Sequence, residues 1–132
     1  MKTLLLIEDT TSILENLTEF LELEGYRVLA TASGKEGVAM AKQFLPDLII
    51  CDVLMYEMDG HDVLRELLLT SATGDIPFIF STSLSEKQDC EASLAMGADG
   101  YIVKPFEPEG LLKLIETWLR NGIGRKSPAT TA

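Results

Sequence analysis

Several residues far apart in the chain carry chemistry, and each follows a short apolar run. Glu8 and Asp9 come after Thr3-Leu4-Leu5-Leu6-Ile7, and Asp52 after Leu48-Ile49-Ile50-Cys51. Ser81, Thr82 and Ser83 come after Phe78-Ile79-Phe80, and Lys104 with Pro105 after Tyr101-Ile102-Val103. Brought together, three carboxylates repel one another and favour a divalent cation. Mg²⁺ takes oxygen ligands and is commonly held by one or two carboxylates. An ammonium and a hydroxyl beside such a cluster suit an anionic ligand. Each residue alone has a plainer reading. The acid pair could be a helix N-terminus, Asp52 a turn residue, Thr82 an N-cap and Lys104 a solvated charge. The joint placement of polar groups at these run ends is what points to a site.

The runs are short, and several are continuously apolar, as strands covered on both faces are. Val28-Leu29-Ala30 makes a further one. Between them the pattern turns helical: Ile13, Leu14, Leu17, Phe20 and Leu21 repeat at three and four, and Gly25 ends that helix. Residues 35–44 carry Val38, Ala39, Met40 and Ala41 before Pro46, and Val63, Leu64, Leu67 and Leu68 form a third set. A fourth helix is predicted from an N-cap at Ser85 to Met96. A fifth starts at Pro108 with Leu111, Leu112, Ile115, Trp118 and Leu119. Strand and helix therefore alternate five times. The predicted fold is α/β, a five-stranded parallel sheet flanked by five helices, with right-handed crossovers. The most apolar runs, the first and third, belong in the centre. The second, led by Arg27 and ended by Thr31, reads as an edge. The order 2-1-3-4-5 follows, flavodoxin-like and doubly wound. Ligands of such sheets bind beyond the carboxyl ends of the strands, near the switch point between strands one and three.

The chain has 132 residues, 46% of them hydrophobic, and a net charge of −10 from 11 basic and 21 acidic side chains. This is a one-domain length and too apolar for disorder. The predicted domain covers residues 1–120, and residues 121–132 read as a flexible tail or truncated linker. The acidic balance argues against direct nucleic-acid or anionic-membrane binding. No apolar run is long enough to span a bilayer, and no signal-peptide pattern opens the chain. Cys51 and Cys90 have neither metal-ligand spacing nor a disulfide framework, so both are predicted as core thiols in a reducing, cytoplasmic protein. His61, the only histidine, is predicted to be a solvated surface residue.

The motifs Leu5-Leu6-Ile7-Glu8-Asp9, Pro46 to Met55, Met58-Asp59-Gly60, Pro77 to Thr82 and Gly97 to Phe106 stand in order along the chain. Over residues 2–120 it resembles the receiver domain of two-component response regulators. Those domains share the 2-1-3-4-5 order, so pattern and resemblance are not two independent arguments for it. The resemblance implies a phosphoacceptor domain rather than an enzyme acting on a separate substrate. Asp52 would accept the phosphoryl group, with Thr82 and Lys104 binding its oxygens. Glu8, Asp9, Asp52 and the Leu54 backbone carbonyl would hold Mg²⁺. Thr82 and Tyr101 would be the switch pair, and Pro105 would follow a cis bond. The implied partners are a sensor histidine kinase or histidine phosphotransfer protein, and an output protein or effector domain of unknown identity.

The sequence departs from the family pattern at a few places. Tyr56 stands where Pro is frequent, and Ser83 where Ala is. Leu54 and Leu84 are apolar at variable positions flanking the acceptor and offer little to orient an attacking water, which predicts a long-lived acyl phosphate. Glu116 replaces an Arg expected in one dimer-forming subgroup, which argues against dimers through that face. Two enzyme or cofactor classes fit poorly. An FMN binder needs a hydroxyl- and Gly-rich loop where Glu8-Asp9-Thr10-Thr11 stands. A haloacid-dehalogenase-type phosphatase needs Asp-x-Asp after its first strand, and Asp52-Val53-Leu54 breaks the pattern. A receiver-like interaction module that is never phosphorylated stays open as the alternative.

Overall fold

The five apolar runs form five strands: β1 (Thr3–Ile7), β2 (Arg27–Thr31), β3 (Leu48–Asp52), β4 (Phe78–Thr82) and β5 (Gly100–Val103). They pair in parallel in the order β2-β1-β3-β4-β5, as the alternation predicts. The computed structural model describes residues 1–83 and 87–121, excluding the side chains of 87–90 and 121. The expectations for Leu84, Ser85, the Cys90 thiol and residues 122–132 lie outside the described residues.

Successive side chains of the central strands alternate between two cores. Leu5 and Ile7 of β1, Ile49 and Cys51 of β3, and Phe78 and Phe80 of β4 face one core. Their neighbours Leu4, Leu6, Leu48, Ile50 and Ile79 face the other. β3 and β4 are buried along their whole length, whereas β2 and β5 form the exposed edges. Two apolar faces need two helical layers. α2 (Gly34–Phe44) and α3 (Gly60–Leu68) cover the first through Val38, Ala41, Val63, Leu64 and Leu67. α1 (Thr11–Leu23) and α6 (Pro108–Asn121) cover the second through Leu17, Leu21, Leu111 and Ile115.

Six helices are present among the described residues, one more than the pattern predicts. The addition is α4 (Ser71–Gly74), a single turn. The Thr73 hydroxyl holds it down by donating 2.7 Å to the Leu67 carbonyl at the end of α3. A turn this short has no periodicity to read. α5 (Lys87–Ala95) falls inside the predicted fourth helix, and α6 reaches Asn121, one residue past the predicted domain limit. No helix among the described residues is long and apolar enough to cross a membrane.

Local devices bring the chain back over the sheet. Gly25 takes a φ of 96° where α1 turns into β2. Asp59 and Asp62 form a reciprocal capping box at the start of α3: Asp62 N donates 3.0 Å to the Asp59 carboxylate, and Asp59 N donates 3.2 Å to the Asp62 carboxylate. Gly60 lies so close to β3 that a Cβ there would strike the Asp52 carbonyl, and its N–H donates 2.8 Å to Val53 O. Met58-Asp59-Gly60 therefore presses the start of α3 against the residue that ends β3.

His61 corrects its sequence reading. It is half-buried, edge-on to Phe80 with ring centroids 5.2 Å apart, and its Nε2 lies 3.5 Å from Ser93 Oγ. One helical position past Gly60, its ring is carried over the sheet instead of into solvent.

Candidate functional site

The site forms where β1, β3 and β5 end together. Glu8 follows β1, and its backbone N–H donates 3.1 Å to Thr31 O of β2, which extends the ladder by one residue. Its side chain then takes the parity of Leu4 and Leu6 and points to the α1/α6 face. Asp52 is the last residue of β3 and faces the same way. Both are nearly closed to solvent, Glu8 at 5% exposure and Asp52 at 6%. Asp9 is exposed, and Glu8, Asp9 and Asp52 each bring a carboxylate oxygen within 4.8 Å of the others. Thr10, not Asp9, occupies the N-cap of α1, so the acid pair is not an ordinary helix cap. Glu8 Oε2 accepts from Thr10 N at 3.0 Å.

Lys104 arrives from the end of β5, its N–H donating 2.7 Å to Thr82 O. The peptide bond to Pro105 is cis. Lys104 Nζ donates to Glu8 Oε1 at 2.6 Å and lies 3.2 Å from Asp52 Oδ2. Thr82 ends β4 and is buried. Ser83, which follows it, is not helical, so Thr82 is not a helix N-cap.

The family model for the response regulator receiver domain matches residues 4–116. This chain belongs to the receiver-domain family. SaeR, a response regulator of Staphylococcus aureus, is 34% identical over 119 residues, 90% of this chain and 51% of that protein. The chain thus spans about half the length of the curated relatives it matches. The chemotaxis protein CheY4 of Vibrio cholerae superposes with a TM-score of 0.85 at 33% identity, covering 90% of this chain and 99% of the other. The receiver domain of a sensor histidine kinase of Pseudomonas aeruginosa superposes with a TM-score of 0.79 at 28% identity, over 90% and 98% of the two chains. That structure is described with a magnesium ion coordinated in its active-site cleft.

Electrostatics in this receiver domain are uneven. Burial and then the Glu8 charge push the Asp52 carboxyl up to about 6, and Lys104 only partly offsets them. For Glu8, burial acts upward. The hydrogen bond from Lys104, the Thr10 N–H and the Lys104 charge together outweigh it, so its pKa falls below the usual carboxylate value. Lys104 is pulled down by burial but raised overall by Glu8 and Asp52. The ammonium therefore belongs mainly to Glu8, and Asp52 is left as the acid that gains most from a further cation. Carboxylate oxygens alone are the donor set of a hard cation and suit Mg²⁺ better than softer metals. Beside Asp52, burial first and then the Asp52, Glu8 and Asp59 charges push the Cys51 thiol well up, so it stays neutral in the core.

Leu54 lies two residues beyond Asp52 with its side chain 58% exposed, and Tyr56 is more exposed still. Tyr101 pairs with Phe80 in the β4–β5 register, and Thr82 pairs with Val103. Thr82 and Tyr101 thus share the sheet face opposite Asp52, diagonally placed, with Tyr101 partly exposed. Two motif acids serve the fold at the other ends of the strands. Asp47 Oδ2 accepts from Thr3 N at 2.7 Å, and Asp99 Oδ2 from Phe78 N at 2.8 Å. The residue-by-residue reading assigned no role to Ser81. It is buried, and its Oγ is the one such side-chain polar atom without a hydrogen-bond partner among the described residues. The signal was a hydroxyl beside Thr82 at the end of a strand that is otherwise apolar.

Proposed function

We propose that the chain is a phosphoacceptor signalling domain that takes a phosphoryl group onto Asp52 from the phosphohistidine of a sensor kinase or phosphotransfer protein. The observation carrying this is the pairing of Lys104 with Glu8 and Asp52 inside a three-carboxylate cluster. Asp52 is held at the strand end with its carboxylate beside the ammonium and free of any capping duty. An Asp52 oxygen attacks phosphorus, the donor's P–N bond breaks, and the imidazole departs with the bond's electron pair. Lys104 then has a second anion within reach and offsets charge on a phosphoryl oxygen, and Thr82 supplies a hydroxyl to another. Glu8, Asp9, Asp52 and the Leu54 carbonyl would hold Mg²⁺, which would supply neutralisation and orientation of the phosphoryl charge.

A phosphoryl group adds close to two negative charges. Its contacts with Lys104 and Thr82 do not exist in the resting state, so it shifts the balance between two arrangements of the β4 and β5 ends. Thr82 and Tyr101 share one sheet face, which gives the displacement of Thr82 a route to the exposed Tyr101 ring and to the surface an output protein or effector domain reads. The domain assists its own phosphorylation and dephosphorylation and acts through protein contacts. Residues 1–120 constitute the domain in this reading, with 121–132 as tail or linker, in a cytoplasmic protein.

Incubation with acetyl phosphate tests the assignment. Wild type takes up one phosphoryl group only when Mg²⁺ is present, and Asp52→Asn takes up none. No uptake and no beryllofluoride binding by wild type would leave the unphosphorylated interaction module as the reading.

A further inference from the structure

Ser81 sits beside Asp52 across the β3–β4 ladder: the two are register partners. Ile79 of β4 and Ile50 of β3 pair two steps earlier and face the α1/α6 core, whereas Phe80 and Cys51, one step earlier, face the other core. Alternation therefore turns the Ser81 and Asp52 side chains to the same side, where Glu8 and Lys104 also lie. Ser81 is 4% exposed and its Oγ has no partner. A buried hydroxyl without a hydrogen bond is costly, and an Ala of nearly the same size avoids the cost. Neighbouring strands lie about 4.8 Å apart. Both side chains project to one side of adjacent strands, so a rotamer change of Ser81 is the motion that would turn its hydroxyl toward the Asp52 carboxylate.

We propose that the Ser81 hydroxyl is a hydrogen-bond donor kept for the Asp52 carboxylate as it is released from its acyl phosphate. The inference rests on the phosphoacceptor reading of Asp52. In the hydrolysis, a water oxygen attacks phosphorus and the bond between phosphorus and the Asp52 oxygen breaks. The electron pair returns to the Asp52 carboxylate, the water's proton passes to solvent and inorganic phosphate leaves. Negative charge on the carboxylate is greater in that transition state than in the acyl phosphate. A donor aimed at it from the neighbouring strand therefore lowers the barrier. In the resting protein Lys104 lies 3.2 Å from Asp52 Oδ2 but bonds to Glu8 at 2.6 Å, so the Asp52 carboxylate keeps capacity for a further donor.

The test follows label loss from acetyl-phosphate-labelled wild type, Ser81→Ala and Ser81→Thr, together with Mg²⁺ affinity and melting temperature. Ser81→Ala is expected to take up label and to hold it about three- to tenfold longer, the worth of one hydrogen bond. Its Mg²⁺ affinity is expected to be unchanged and its melting temperature equal to or above wild type. Ser81→Thr, which keeps the hydroxyl, is expected to decay close to the wild-type rate. Wild-type decay in Ser81→Ala overturns the proposal. So does slower decay accompanied by weaker Mg²⁺ binding or a lower melting temperature, which assigns the hydroxyl a structural role. Wild type that takes no label overturns the phosphoacceptor reading itself, and the Ser81 proposal with it.

Discussion

The Lys104 ammonium lies 2.6 Å from a Glu8 carboxylate oxygen, a contact between residues 96 positions apart. It joins β5, an edge of the sheet, to β1, with β3 and β4 lying between them. Its second neighbour, Asp52, is 3.2 Å off. The lysine therefore already has work to do before any ligand arrives, since it keeps two buried acids compatible.

Lys104→Met should expose that role. The substitution keeps most of the apolar stem and removes the charge, leaving Glu8 and Asp52 to face one another. The loss at pH 7 is expected to be about 2 kcal/mol, below the range for fully buried pairs because Lys104 keeps some contact with water. At a pH low enough to protonate both acids, the loss should largely vanish. Urea unfolding at the two pH values measures it. Added Mg²⁺ should restore part of the stability at pH 7, since a ligand that binds only the folded state stabilises it.

Asp9 gives the complementary case. It is exposed and contributes a carboxylate oxygen to the cluster, with no role in capping α1. Asp9→Asn is expected to weaken Mg²⁺ binding about tenfold while changing metal-free stability by less than about 0.5 kcal/mol. Glu8→Gln should lower both, because it also dissolves the Lys104 ion pair. Titration with Mg²⁺ and thermal unfolding without it separate the two effects.

Most of the site was legible because strand ends are legible. Continuous apolar runs such as Leu48-Ile49-Ile50-Cys51 mark buried strands, and whatever follows them in a doubly wound sheet collects at one rim. Distances within the rim were not legible. Nothing in the order of residues says that Lys104 grips Glu8 more closely than Asp52, which depends on how β1 and β5 end in three dimensions. His61 failed for a related reason: its exposure is set by where Gly60 lets α3 approach β3, which composition does not show. Ser81 was visible as a polar residue in a strand, but its lack of a partner appears only once the neighbours are placed. α4 has too few residues to leave a pattern.

The exposed Leu54 side chain sets an expectation for the phosphorylated state. It flanks Asp52 with no group able to orient a water molecule. The acyl phosphate is expected to last minutes or longer after excess acetyl phosphate is removed. Leu54→Gln, which adds an amide at the same exposed position, should shorten the half-life. Decay of the wild type within seconds, measured by loss of label, would contradict the expectation.

Asp52 itself predicts how metal-free stability changes with pH. Its carboxyl is raised from 3.8 to about 6 by burial and by Glu8. A raised acid holds its proton longer in the folded chain than in the unfolded one. As pH climbs from about 4 to about 6, the unfolded state has already released that proton, and the folded state is penalised for following. Asp52 thus costs stability progressively over this window and at a constant level above it. Glu8 acts in the opposite sense. Its lowered pKa adds stability above the usual carboxylate value, and that stability is lost as pH falls through its folded value. Asp52→Asn removes the first contribution while keeping shape. Its stability relative to wild type should be small at pH 4, grow through pH 6 and level off near 2 kcal/mol in favour of the variant, an order-of-magnitude figure for a partly compensated carboxylate. With saturating Mg²⁺ the order should reverse at pH 7, because only the wild type gains the full free energy of binding. Chemical denaturation of both proteins at several pH values, with Mg²⁺ and with EDTA, tests the slope and the reversal. A difference independent of pH would mean that burial and Glu8 do not hold the Asp52 proton.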